Sequence, residues 1–167
     1  MNTKEISYFI YKKMERLIAN SREKDAMILK KAAAILFPED VNVVALSCMF
    51  KGYCKAKNYR KAIETYNKAR RPFWDTLDAI QCYEKLGLLN EAIREYEYLL
   101  KEYARIPLEP FPYDLYKLGT LYFKKDTKKS RRYLEQSLSI REEDKRFTSR
   151  LRSRAESLLG KIMAEIE

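Results

Sequence analysis

Asp78-Ala-Ile-Gln-Cys-Tyr-Glu-Lys-Leu-Gly-Leu-Leu-Asn-Glu-Ala-Ile-Arg-Glu-Tyr-Glu-Tyr-Leu-Leu100 decides the fold. Its apolar residues recur at spacings of three and four, the period of a helix buried on one side. The pattern breaks once, at Leu86-Gly87. A first helix is therefore expected to end near Lys85 and a second to open near Asn90, with Gly87 as the stop and Asn90 as the N-cap.

The same plan occurs on both sides of this stretch. Upstream, Met49 to Tyr53 precedes a turn at Lys57-Asn58, and Tyr59 to Ala69 follows it. Downstream, Leu115 to Tyr122 is followed by Ser130 to Leu138. A fainter copy opens the chain, with Ile10, Met14 and Leu17 in one helix and Ala26, Lys30 and Ala33 in the next. A bulky residue, Leu-Gly and then Tyr mark the first helix, as in Leu115, Leu118, Gly119 and Tyr122. Small, large and small or apolar residues at spacings of four and three mark the second. Ala62, Tyr66 and Ala69 fill that pattern, as do Ala92, Tyr96 and Leu99, and Ser130, Leu134 and Ser137.

These copies resemble the tetratricopeptide repeat (TPR) family, whose units are helix–turn–helix pairs of similar length. The resemblance implies an all-α, right-handed α-solenoid of about three to four repeats with a C-terminal capping helix, one domain over residues 1–167. A divergent repeat at 5–40 leads three more at 43–71, 73–104 and 112–140. Pro38 stands where the family often closes a repeat, and the link Ile106 to Pro112 holds three prolines that cannot continue a helix. At 145–166 the stripe Phe147, Leu151, Ala155, Leu158, Leu159, Ile162 and Met163 reads as the cap, with self-association through this helix as the alternative. Stacking is required physically, because a lone helix pair leaves one face unburied.

In TPR solenoids the first helix of each repeat lines a concave groove that receives peptides or partner helices. Carried onto this chain, those positions are Tyr8, Tyr11, Lys12 and Glu15 in the opening unit and Ser47, Lys51 and Lys55 in the next. Trp74, Gln81, Glu84 and Lys85 follow, and Tyr113, Tyr116, Thr120 and Lys124 complete the set. Tyrosine and tryptophan offer rigid contact area, and lysines attract carboxylates, so the expected partner is another protein presenting an acidic peptide or helix. The family's carboxylate clamp is not carried over, because Ser47, Cys48, Asp78 and Gln81 stand where its asparagines would be. Trp74 has a second reading, as packing at the Arg71-Pro72 link.

Composition narrows the rest. The chain has 167 residues, three cysteines, no histidine and a net charge of +10. Without histidine the commonest base near neutral pH is missing, and no phosphate loop or nucleophile elbow occurs. We therefore expect no enzyme, no cofactor and no metal. Cys48, Cys54 and Cys82 form no CxxC pair and read as reduced packing residues in a cytoplasmic protein that does not enter membranes. Residues 117–154 carry 13 Lys and Arg against five Asp and Glu. Their densest run, Lys124, Lys125, Lys128, Lys129, Arg131 and Arg132, is either a solvated face or a patch for an anionic partner. Phe50 to Ile63 also looks like a pentatricopeptide (PPR) repeat, so RNA bound through the basic C-terminal region is the alternative function.

Overall fold

Small residues set where these helices cross. In the computed structural model, which describes residues 3–36, 43–106, 108–140 and 144–164, Ala26, Ala33, Ala62, Ala92, Ser130 and Ser137 are fully buried. Tyr66, Leu134 and Leu99 fill the spaces beside them and are buried as well. All the regular structure among the described residues is helical. It comprises α1 (Thr3–Ala19), α2 (Glu23–Leu36), α3 (Val43–Lys55), α4 (Tyr59–Lys68), α5 (Thr76–Lys85), α6 (Leu89–Arg105), α7 (Pro112–Tyr122), α8 (Thr127–Ser139) and α9 (Ser149–Ala164). None of these helices is long and apolar enough to cross a membrane. Pro38 lies outside the described residues.

The turns explain the helix lengths. Ser21, Lys57 and Gly87 each adopt a left-handed backbone conformation, at φ of 60°, 57° and 72°. Each sits in a six-residue closure in which the next amide bonds back to the helix, Arg22 to Leu17, Asn58 to Tyr53 and Leu88 to Tyr83. This is the Schellman arrangement, which satisfies the last carbonyls of a helix. Only Gly87 enters that conformation without a Cβ penalty. Asn58 then caps α4, its side chain accepting from the Lys61 amide.

One sequence expectation is corrected here. Asn90 is not an N-cap, because α6 starts at Leu89 and the Leu88 carbonyl accepts the first helical bond, from Ala92. Leu88 thus stands where Asn58 stands one hairpin earlier, and the backbone register overrides the side chain's preference. The proline link behaves as its chemistry dictates, with α6 ending at Arg105 and Pro112 opening α7.

The described chain forms two compact units, Met1–Glu95 and Tyr96–Glu167, with the boundary inside α6. In the first, α1 packs on α2 and α3, α3 on α4 and α5, and α4 on α5. The α1–α3 approach is close enough that a Cβ on Gly52 would lie 2.8 Å from the Glu15 carbonyl oxygen. In the second unit, α7 packs on α8 and α8 on α9. There the Ser130 hydroxyl donates to the Gly119 carbonyl at 2.8 Å, so a serine does the work of an alanine with its polar group satisfied. Phe147, Ala155 and Ile162 join Tyr116 and Leu134 in one cluster, flanked by Leu151, Leu158 and Leu159. Helix α9, residues 149–164, carries this stripe and packs on α8, although Met163 near its end remains exposed.

Candidate functional site

Three segments of the first unit meet around a concave recess of about 370 Å³. Helix α1 contributes Tyr8, Tyr11, Lys12 and Glu15, α3 contributes Val44, Ser47, Cys48 and Lys51, and the single turn before α5 contributes Trp74. Seven residues expected in the groove therefore line one surface: Tyr8, Tyr11, Lys12, Glu15, Ser47, Lys51 and Trp74. Their roles differ by exposure. Tyr8 and Trp74 are each 62% exposed. Tyr11 and Ser47 are buried and form the floor instead. Trp74 is not a packing residue of the Arg71-Pro72 link.

A second recess of about 280 Å³ shares Tyr8, Lys12 and Glu15 and adds Phe9, Lys13, Arg16 and Lys55. Four cations here face one carboxylate, so the rim carries a net positive charge. Glu15 is almost fully buried and accepts from Lys12 at 3.0 Å and from Lys55 at 2.5 Å. Burial pushes its carboxyl up, but the two ammonium groups outweigh this and hold it below the usual carboxylate range. Lys12 is correspondingly raised, chiefly by the hydrogen bond to Glu15.

Buried carboxylates paired to half-exposed cations recur through the chain. Lys51 sits 3.1 Å from the fully buried Asp75, and Arg71 sits 2.6 Å from Glu95, which also accepts from the Tyr66 hydroxyl. In the second unit Arg146 pairs with buried Asp114 at 3.1 Å and lies over the rings of Phe111 and Tyr113. Asp114 also accepts from Tyr103. Each pair fixes the position of a cation while leaving its outer side wet. Three of the lysines expected to meet a ligand, Lys12, Lys51 and Lys55, are held in this way.

The remaining expected residues fall elsewhere. Gln81 and Lys85, on α5, are exposed and lie outside both recesses. Tyr116 is a correction. It is only 4% exposed, with its ring 5.5 Å from Phe147, so the segment leading into α9 covers it and it cannot anchor a ligand. Tyr113 and Thr120 are half-buried, and Lys124 is exposed. All six side chains of the basic run are exposed. Lys124, Lys125 and Lys128 line a shallow recess with Phe123, Asp126 and Thr127. Within the unit, Lys129 bonds to Glu97 and the Tyr122 hydroxyl, and Arg131 to Glu135. The described residues hold no cluster of three or more metal-ligating side chains.

No family model matches the chain, and neither a curated protein nor a solved structure is significantly similar to it.

Proposed function

We propose that the chain is a non-catalytic, TPR-like scaffold of the cytoplasm, its helix pairs wound as a right-handed solenoid, and that its first unit receives an acidic segment of a partner protein. The observation that carries this reading is the recess that gathers Tyr8, Lys12, Lys51 and Trp74 from α1, α3 and the turn before α5. Two exposed rings flank a floor of buried side chains, and cations already held by Glu15 and Asp75 ring the edge. A ligand meeting this surface orders little that is not ordered already, which favours affinity. The excess of cations beside Tyr8 and Phe9 favours carboxylates over lysines in that ligand.

Trp74 supplies the assay. It is the only tryptophan in the chain and it is exposed, so its emission reports occupancy of the recess directly. Acidic helical peptides selected from a display library should shift that emission to the blue on binding. Replacing Tyr8 with Ala should weaken the same peptides by about 1–2 kcal/mol, as loss of an aromatic anchor does. Peptides that bind without moving Trp74 emission, and equally well to Tyr8→Ala, would place the working surface elsewhere.

The six exposed lysines and arginines of the run Lys124–Arg132 favour the second reading, an RNA-binding protein. It predicts submicromolar binding of single-stranded RNA at physiological salt, falling steeply as salt rises, and abolished by charge reversal at Lys124, Lys125 and Lys128.

A further inference from the structure

Two of the three cysteines meet. The Cys54 Sγ of α3 lies 3.3 Å from the Cys82 Sγ of α5, although 28 residues separate them in sequence. No ligand-binding role engages either residue, and they line neither recess. Cys82 is buried and Cys54 half-buried, so the pair can be reached from one side, through Cys54. We propose that Cys54 and Cys82 form a peroxide-responsive dithiol site that closes to a disulfide joining α3 to α5.

The distance carries the proposal. A disulfide bond is about 2.05 Å long, so the two sulfurs need approach by only about 1.3 Å, within the reach of side-chain rotation. The two helices already pack on each other, and the Lys51–Asp75 ion pair ties α3 to the turn just before α5. Either sulfur can donate in this contact, and the S–H of one stabilises a thiolate on the other. The thiolate is the nucleophile in thiol oxidation.

The chemistry balances with hydrogen peroxide as the oxidant. One thiolate of the pair attacks a peroxide oxygen, the O–O bond breaks, and the departing hydroxide takes up the thiol proton to leave as water, giving a sulfenic acid. The other sulfur then displaces that hydroxyl, the S–O bond breaks, and a second water leaves with the second thiol's proton. Two thiols lose two hydrogens and two electrons in all, and the peroxide becomes two waters. Cys48 lies outside this pair, on the recess wall, with its thiol held up by burial and by the charge of Glu15.

The full-length reduced chain is treated with hydrogen peroxide and followed by thiol titration, intact mass and non-reducing peptide mapping. The expected result is the loss of two of the three free thiols, a mass lower by two hydrogens, and one linked pair of peptides bearing Cys54 and Cys82. Dithiothreitol should reverse it. Cys48→Ser should behave like the parent, whereas Cys54→Ser should add oxygen at Cys82 and form no internal link. Parallel oxygen addition at all three cysteines of the parent, or a map showing Cys48 in the link, would overturn the proposal. So would retention of all three thiols at peroxide doses that oxidise the unfolded chain.

Discussion

Three glycines lie within helices, and their neighbours differ enough to make one decisive comparison. Beyond its own helix backbone and chain neighbours, Gly160 in α9 has no atom within 4 Å of where a Cβ would stand. Replacing it with Ala should only remove backbone freedom from the unfolded chain, a gain of about 1 kcal/mol. Gly119 receives the same gain, but its Cβ would lie 2.8 Å from Leu134 Cγ and 3.2 Å from the Leu134 amide nitrogen. Leu134 is fully buried and cannot rotate away, so α7 and α8 must separate slightly. Overpacking of that kind costs about 1–3 kcal/mol, which leaves Gly119→Ala neutral to about 2 kcal/mol less stable than the parent. Gly52 is the tightest, since its Cβ would meet the Glu15 carbonyl oxygen and Ile18 Cβ, both at 2.8 Å. Neither atom sits at the end of a flexible side chain, so the loss belongs at the upper end, about 2 kcal/mol net. For a chain of this length about 2–4 °C accompany each kcal/mol, so the melting points of Gly160→Ala and Gly52→Ala should differ by roughly 6–12 °C. Scanning calorimetry on the three variants and the parent measures the order directly. A Gly52→Ala variant melting at or above the parent would show that α1 and α3 do not approach as described.

Ala62→Leu and Ala92→Leu place bulk where both residues are fully buried, and each should lower stability by about 1–3 kcal/mol in guanidinium titrations. Parental midpoints in both would mean the helix register is misassigned. Lys57→Gly should raise the melting point, because a left-handed lysine gives way to the residue suited to that conformation, a gain of about 1 kcal/mol. Glu15 has its folded-state pKa depressed, so its contribution is present in full above the unfolded value of about 4.3 and disappears as pH falls through the folded value. Melting curves of Glu15→Gln should therefore fall less steeply than the parent's below about pH 4.5. Superimposable acid limbs would show that the Lys12–Glu15–Lys55 cluster adds nothing to stability.

Most of the helix boundaries were legible because local chemistry writes them. Gly87 stops α5, Asn58 caps α4 and Pro112 opens α7. The buried small residues were legible because their spacing of seven matches two turns of helix. The charge pairs were not. Glu15 and Lys55 lie 40 residues apart, and Asp114 and Arg146 lie 32 apart. In sequence these residues look like any solvated face, and only the crossing of helices removes the carboxylate from water. Tyr116 misled for a related reason. Its place in the first-helix pattern suggested an open groove, while the cap read from residues 145–166 is what closes over it. The Cys54–Cys82 contact has no sequence signature at all, since it depends on α3 and α5 being neighbours. Tyr8 and Trp74 stand exposed at the recess while Tyr11 lies buried at its floor, and nothing in the sequence separated the three.

The ties between helices also bear on how the chain folds as it is made. In the first unit, Tyr53 reaches Glu23, Lys55 reaches Glu15, Cys54 reaches Cys82 and Tyr66 reaches Glu95, spans of 28 to 40 residues. Each span is about one helix pair, so a helix leaving the ribosome finds its partner already waiting just behind it. N-terminal segments can therefore settle while later ones are still being synthesised. The second unit differs. Tyr116 and Leu134 depend for their cover on Phe147, Ala155 and Ile162, which emerge only after α7 and α8 are complete. During that interval an apolar face stands open to the crowded exit region of the ribosome. Synthesis slowed between α8 and α9 would prolong the exposure, making this pause the point of greatest exposure to chaperones and to aggregation.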